Sequence, residues 1–125
     1  VAVRVSQVKI PNRKGALLLI DDSLMNLSAL SRFISNKFPG VDVRTASSIE
    51  GAKEVIEGVH AVISDYDLKS NTVHKLLDFF PDNGSNKLVC VSGIERPDLE
   101  AAGIPFIPKG ELSTLEAWVK EVFYE

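Results

Sequence analysis

The chain has 125 residues, 45% of them hydrophobic and 25% charged, which is typical of one globular domain and excludes a disordered or fibrous protein. Its net charge of −3 argues against direct binding of nucleic acid, since such binding depends on clustered Lys and Arg. The single cysteine, Cys90, allows no internal disulfide and fits a reducing, cytoplasmic location. No apolar run approaches the roughly 20 residues of a membrane helix, so we expect no membrane contact.

The first 15 residues differ in pattern from the rest. Val1, Val3 and Val5 alternate like a strand, whereas Pro11 to Gly15 is typical of a linker. We therefore predict an N-terminal extension or linker over residues 1–15 and one domain over residues 16–125. An extra edge strand, or the tail of a preceding domain, would fit residues 1–15 equally well.

From residue 16 onward, apolar runs alternate with segments of helical spacing. The runs predict five buried strands at 16–20, 41–45, 60–64, 87–91 and 104–107, the last at a sheet edge because it contains Pro105. The helical patterns predict five helices that cover about 23–38, 48–58, 73–80, 96–102 and 112–124. This alternation predicts an α/β doubly wound parallel sheet with helices on both faces, in the flavodoxin-like strand order 2-1-3-4-5.

Polar side chains follow four of these strands at the point where each strand ends. They are Asp21 and Asp22 after the first strand, Asp65 after the third, Ser92 after the fourth and Lys109 after the fifth. Ligands of doubly wound folds bind at the carboxyl ends of the strands. We therefore expect these five side chains to line one pocket.

Three carboxylates in one pocket repel one another unless one of them stays protonated or a cation binds between them. A site rich in oxygen atoms suits Mg²⁺. Its ligands would be the Asp21–Asp22 pair, Asp65 and a backbone carbonyl near Asp67.

With a metal ion to offset its charge, the Asp65 carboxylate can act as a nucleophile toward phosphorus. Lys109 would place a second positive charge on the phosphoryl oxygens, and the Ser92 hydroxyl could donate a hydrogen bond to one of them. Each residue alone is a weak signal, because such residues commonly cap helices, form turns or lie in solvent. Their joint position at strand ends makes a functional site the better interpretation.

Over Gly15 to Glu125 the sequence resembles a response-regulator receiver domain of two-component signalling, of the CheY-like superfamily. The resemblance rests on the acidic pair after the first strand, Asp65 in the run Asp-Tyr-Asp-Leu, Ser92 and Lys109. It implies a phosphoprotein of a two-component system or phosphorelay, in which Asp65 takes a phosphoryl group from a sensor histidine kinase or a histidine phosphotransfer protein. Such a domain is no enzyme beyond its own phosphorylation and dephosphorylation, and its output lies in another domain or partner protein.

The resemblance also implies a role for each metal ligand. Asp22 and Asp65 would hold Mg²⁺ directly, Asp21 would act partly through water, and Asp67 would bind through its main-chain carbonyl.

A switch is implied by the same resemblance, because Phe106 falls at the switch-aromatic position of the fifth strand. Movement of Ser92 toward the phosphoryl group would let the Phe106 ring turn inward and change the face made by the last two helices and the fifth strand. The sequence leaves open whether the last two helices form a homodimer.

Three features depart from the family's usual pattern. Lys69 stands where Pro is common, and residues 69–73 contain no Gly. Gly110 follows Lys109 where the family usually has Pro. The span from Ser92 to Lys109 leaves only about two turns for the fourth helix.

Two alternatives remain. The first is a pseudo-receiver, a binding module that does not use phosphorylation. The second is a phosphatase of the haloacid dehalogenase type, for which Asp65 and Asp67 would be nucleophile and general acid. The order of the motifs along the chain argues against the phosphatase.

Overall fold

The structure is a computed structural model that describes residues 10–68, 71–81 and 86–125. Its strands are β1 (Ala16–Ile20), β2 (Asp42–Ala46), β3 (Val59–Asp65), β4 (Asp67–Leu68), β5 (Asn71–Thr72), β6 (Lys87–Ser92) and β7 (Phe106–Pro108). Five of them form one parallel sheet in the order β2-β1-β3-β6-β7, and β4 and β5 form a separate antiparallel pair. The order of the large sheet is the flavodoxin-like one, so the predicted fold class and topology are confirmed.

Helices cover both faces of this sheet. They are α1 (Leu24–Lys37), α2 (Ile49–Glu54), a 3-10 helix (Val73–Asp78), α3 (Pro97–Ala101) and α4 (Leu112–Tyr124). Within the described ranges, none of these helices is long and apolar enough to cross a membrane.

The hydrophobic core is divided by the sheet into two layers, because successive side chains of a strand point to opposite faces. In β1, Leu17 and Leu19 belong to the layer beneath α1 and α4, whereas Leu18 and Ile20 belong to the layer beneath α2, the 3-10 helix and α3. All five residues of β1 are at most 2% exposed, so β1 lies at the centre of the fold.

The helix predicted over residues 73–80 is a 3-10 helix that ends at Asp78. Thr72 provides no side-chain cap, and the amides of Phe79 and Phe80 both donate to the Leu76 carbonyl and end the turn. Over two turns, apolar spacing alone does not distinguish a 3-10 helix from an α-helix. The sequence therefore predicted a helix in this segment but not its type.

The helix predicted over residues 48–58 is also shorter than expected, because it ends at Glu54. The Val55 amide donates to the Ala52 carbonyl at 3.1 Å, which tightens the last turn. The Arg44 guanidinium then donates to the carbonyls of Val55 and Glu57. Arg44, from β2, thus provides hydrogen bonds to two carbonyls just after the helix end at Glu54.

The described part of the N-terminal segment packs against the end of α4. The backbone amides of Asn12 and Arg13 both donate to the Phe123 carbonyl, at 2.6 and 3.1 Å. The Asn12 side chain donates to the Tyr124 carbonyl at 2.6 Å. Residues 1–9 lie outside the described residues, so the boundary between extension and domain at residue 15 stays a prediction.

Candidate functional site

Three carboxylates meet at the carboxyl edge of the sheet. Asp21 and Asp22 follow β1, Asp65 ends β3, and these strands are neighbours with Ile20 paired to Ser64. One carboxylate oxygen from each of the three aspartates lies within 4.8 Å of the other two. The structure therefore brings together the three carboxylates that the sequence assigns to one pocket.

Asp21 is fixed by the start of α1. Its Oδ1 accepts a hydrogen bond from the Ser23 amide at 2.8 Å, and its Oδ2 accepts one from the Asn26 side chain at 3.4 Å. Ser23 itself caps α1 by accepting from the Asn26 amide at 3.2 Å. Asp22 is exposed, so it is the carboxylate of the pair that faces solvent.

Lys109 faces the acidic group from the end of β7. Its Nζ lies 3.7 Å from Asp65 Oδ1. Its backbone amide donates to the Ser92 carbonyl at 2.8 Å, which joins the ends of β6 and β7. Gly110 follows with φ +93°, a backbone conformation that proline cannot adopt. This conformation favours glycine over the proline that the resemblance to receiver domains leads us to expect at this position.

The charges around Asp65 oppose one another. Its burial raises the pKa of the carboxyl above the ordinary value of 3.8, and the Asp21 and Asp22 carboxylates raise it further. The Lys109 ammonium and a hydrogen bond from the Tyr66 amide, 2.9 Å from Asp65 Oδ1, lower it. The net shift of the Asp65 pKa is upward, so the site disfavours the ionised carboxylate. A bound cation would stabilise the ionised form.

The Ser92 side chain is 3% exposed, and its hydroxyl oxygen accepts from the Ile94 amide at 3.4 Å. Phe106 opens β7 and pairs with Cys90, two residues before Ser92. Its half-buried ring packs against the core layer beneath α2 and α3. Ser92 thus lies at the same strand edge as Asp65 without a hydrogen bond to it among the described residues.

The Asp67 side chain points away from the carboxylate group. It is 71% exposed, and its Oδ2 lies 3.7 Å from the Arg96 guanidinium. Its carboxylate therefore lies outside the acidic pocket, and only its main chain is left for the predicted metal role. Lys69 and Ser70, which follow Leu68, lie outside the described residues.

Sequence reasoning missed four side chains beside the pocket: Tyr66, His74, Arg96 and Asp98. Asp98 Oδ2 accepts from the Tyr66 hydroxyl at 2.6 Å and lies 2.6 Å from His74 Nε2. The Arg96 guanidinium lies over the Tyr66 ring at 4.1 Å. These residues come from three separate segments, so no spacing along the chain could have revealed them.

Cys90 lies in β6 behind the site and is fully buried. Burial, together with the nearby Asp65 carboxylate, raises the pKa of its thiol to about 12. A thiol that stays protonated is a poor nucleophile, so Cys90 belongs to the core rather than to the chemistry.

An apolar cavity of about 250 Å³ opens beside Asp65 between α1 and the start of α4. Leu30, Phe33, Leu112 and Leu115 supply much of its wall. Three exposed apolar side chains lie at the starts of the two helices: Leu24 (71% exposed), Met25 (82%) and Leu112 (47%). The acidic pocket thus has an apolar surface next to it.

No protein-family model and no curated protein matches the sequence. Solved structures do match the fold. The signal receiver domain of a DNA-binding response regulator from Colwellia psychrerythraea superposes with a TM-score of 0.73 at 18% identity, covering 86% of this chain and 96% of that one. The chain has the fold of a receiver domain.

Two further matching structures contain a protein partner or a modified residue. One is the receiver domain of a Saccharomyces cerevisiae response regulator crystallised with its histidine phosphotransfer protein, with a TM-score of 0.68, 18% identity and coverage of 91% of this chain and 90% of that one. The other is a Burkholderia pseudomallei response regulator with a phosphorylated aspartic acid, a calcium ion and citrate. It has a TM-score of 0.67 and 17% identity, and the match covers 86% of this chain and 66% of that one.

Proposed function

We propose that this chain is a phosphoacceptor receiver domain of a two-component or phosphorelay system, in which Asp65 takes a phosphoryl group from a phosphohistidine. The observation that carries the proposal is the geometry at the strand ends. Three carboxylates lie within 4.8 Å of one another, and a lysine ammonium lies 3.7 Å from Asp65. The phosphorylated aspartic acid in the Burkholderia pseudomallei receiver supports the same chemistry.

The acidic group fits a divalent cation, because Mg²⁺ prefers oxygen ligands and the crowded carboxylates need positive charge. Asp22 and Asp65 would hold the ion directly, Asp21 partly through water, and Asp67 through its main-chain carbonyl. Asp21 already accepts two hydrogen bonds, which agrees with its less direct role. The bound metal would neutralise charge on the phosphoryl oxygens.

In the transfer, a carboxylate oxygen of Asp65 forms a bond to phosphorus while the P–N bond of the phosphohistidine breaks. The electron pair of that bond stays on the imidazole of the partner. Lys109 stabilises the phosphoryl oxygens with its charge, and the Ser92 hydroxyl donates a hydrogen bond to one of them. Asp65, Ser92 and Lys109 therefore act at the reacting group.

Phosphorylation then acts as a switch. The Ser92 carbonyl accepts a hydrogen bond from the Lys109 amide. Ser92 lies two residues after Cys90, which pairs with Phe106 in the β6–β7 ladder. Movement of the Ser92 side chain toward the phosphoryl group would free space for the Phe106 ring to turn inward. The altered face of β7, α3 and α4 would contact an output domain, a partner protein or a second copy of the chain.

The partner that supplies the phosphoryl group would be a sensor histidine kinase or a histidine phosphotransfer protein. Exposed Leu24, Met25 and Leu112 beside the pocket form an apolar surface suited to a protein partner. The yeast receiver in complex with its phosphotransfer protein supports such a partner. We also propose that the domain is cytoplasmic and that it binds neither nucleic acid nor membrane.

The test is to incubate the chain with Mg²⁺ and acetyl phosphate and to measure its intact mass. The wild-type chain should gain the mass of one phosphoryl group, and Asp65→Asn should gain none. Asp78→Asn, which changes an exposed aspartate of the 3-10 helix, is the matched control and should behave as the wild type.

Two results would point elsewhere. If the wild-type mass stays unchanged with and without Mg²⁺, the chain is a pseudo-receiver that binds partners without phosphorylation. If it hydrolyses a phosphomonoester through many turnovers, a phosphatase of the haloacid dehalogenase type is the better assignment.

A further inference from the structure

Four side chains next to the proposed phosphorylation site form a connected group, called here the Tyr66 cluster: Tyr66, His74, Arg96 and Asp98. Both the Tyr66 hydroxyl and His74 Nε2 lie 2.6 Å from one Asp98 oxygen. The Tyr66 ring packs under the Arg96 guanidinium at 4.1 Å and against the edge of the His74 ring at 6.0 Å. Each member thus contacts at least one other through charge, hydrogen bond or ring face.

The cluster joins three segments that surround the site. Tyr66 lies between the proposed phosphoacceptor and the proposed metal ligand Asp67, whereas His74 belongs to the 3-10 helix. Arg96 and Asp98 come four and six residues after Ser92. The cluster therefore connects the backbone that follows Asp65 with the segment that follows the proposed switch residue.

The backbone of Tyr66 is held by two hydrogen bonds of its own. Its amide donates to Asp65 Oδ1 at 2.9 Å, and its carbonyl accepts from the Val73 amide at 2.9 Å. The Asp98 contact therefore fixes the side chain of a residue whose backbone contacts the site directly. The residues on either side of Tyr66 are Asp65 and Asp67.

The hydrogen bonds of the cluster converge on one anionic acceptor. Asp98 is an ionised acceptor at neutral pH, and the hydrogen bonds from the Tyr66 hydroxyl and His74 lower its pKa further. The Tyr66 hydroxyl donates to this acceptor at 2.6 Å. The Arg96 guanidinium, which covers the Tyr66 ring, lies 3.7 Å from the Asp67 carboxylate.

We propose that Tyr66 is a positioning residue for phosphoryl transfer, held by Asp98 so that the Asp65 carboxylate and the Asp67 carbonyl keep the geometry that Mg²⁺ requires. This inference rests on the proposed function. The described loop residues Asp67, Leu68, Asn71 and Thr72 include neither proline nor glycine, so the side-chain contacts of the Tyr66 cluster add to the backbone bonds of the Tyr66–Val73 contact and the β4–β5 pair. Mg²⁺ demands near-ideal octahedral geometry, and small displacements of its ligands reduce its affinity.

The experiment uses Tyr66→Phe, which removes the hydroxyl and keeps the ring beneath Arg96. We expect the Mg²⁺ dissociation constant to rise about 10-fold, as is typical when a residue that orients a metal ligand is lost. The phosphorylation rate at saturating Mg²⁺ should fall less than the rate at limiting Mg²⁺. Asp98→Ala should reproduce both effects, and Asp98→Asn, which keeps an acceptor oxygen, should restore part of the affinity.

Tyr124→Phe is the matched control, since Tyr124 is the other of the two tyrosines in the chain and lies in α4. It should leave Mg²⁺ affinity and rate unchanged. The melting temperature without Mg²⁺ should be nearly the same for wild type and Tyr66→Phe, because the Tyr66–Asp98 bond lies in a solvent-exposed position.

Each other result overturns the inference. Wild-type Mg²⁺ affinity and rate in Tyr66→Phe would show that the hydroxyl has no positioning role, and the proposed function would survive. A loss of affinity matched by an equal loss of metal-free stability would assign Tyr66 to the fold alone. If the wild-type chain itself takes no phosphoryl group, the proposed function fails and this inference fails with it.

Discussion

The sheet and the described part of the segment between β3 and β6 hold the site in different ways. Asp21, Asp65 and Lys109 take their positions from parallel strands whose backbone ladders and buried side chains leave little freedom. The segment after Asp65 has two strands of two residues each and a 3-10 helix of six, and side chains of the Tyr66 cluster hold it. Loss of a buried apolar side chain of the sheet should therefore reduce stability, whereas loss of a contact in the Tyr66 cluster should alter the site at nearly constant stability.

The largest effect on stability is expected at the centre of the sheet. Leu18→Ala should lower the free energy of unfolding by about 3 kcal/mol, because Leu18 is completely buried and its removal leaves a cavity. Urea unfolding followed by circular dichroism measures the change. Leu24→Ala, at a residue that is 71% exposed, is the control and should stay within about 0.5 kcal/mol. Similar losses in both variants would contradict the central position of β1.

The largest effect on the chemistry is expected at Lys109. Lys109→Gln should slow the phosphorylation of Asp65 by about 100-fold, because it removes the charge that stabilises the transferring oxygens. The initial rate with acetyl phosphate at saturating Mg²⁺ measures it. Lys120→Gln, on the exposed side of α4, controls for the loss of one positive charge. Equal rates in the two variants would remove Lys109 from the site.

A smaller effect on stability distinguishes the backbone conformation of a glycine from the steric room around it. Gly110→Ala should destabilise the fold by about 1 kcal/mol, because residue 110 has φ +93° although no atom lies within 4 Å of an added Cβ. Gly93 has equal space and no positive φ, so Gly93→Ala should change the free energy of unfolding by less than about 0.5 kcal/mol. Thermal unfolding of Gly110→Ala and Gly93→Ala measures both changes in stability. A neutral Gly110→Ala would show that the conformation after Lys109 needs no glycine.

The smallest effect concerns Asp65 in the metal-free protein. Its raised pKa means that ionisation opposes folding: the penalty is absent well below pH 3.8, appears as the pH rises through the raised pKa and is complete at pH 7. Asp65→Asn should therefore raise the melting temperature at pH 7 by roughly 2 °C and lose this advantage in acid. Glu121→Gln, at an exposed acid of α4, controls for net charge. An Asp65→Asn variant less stable than wild type at pH 7 would contradict this sign.

The strands and the residues at their ends were predictable because both signals are local. Apolar runs mark buried strands, and the position after a run marks the carboxyl edge where Asp21, Asp65 and Lys109 meet. The 3-10 helix was not predictable, since Tyr66 and Val73 fix its start through a backbone bond that no sequence pattern encodes. The contacts of Asp98 were not predictable either, because its partners Tyr66 and His74 lie 32 and 24 residues away along the chain.

The most direct measurement is calorimetric binding of beryllofluoride, which mimics a phosphoryl group on a carboxylate, to the wild-type chain and to Asp65→Asn. If Asp65, the neighbouring aspartates and Lys109 form a phosphoacceptor site, the wild type should bind one beryllofluoride per chain only when Mg²⁺ is present, and Asp65→Asn should bind none. Binding that needs no Mg²⁺, or that persists in Asp65→Asn, would contradict the assignment of Asp65 as a metal-dependent phosphoacceptor.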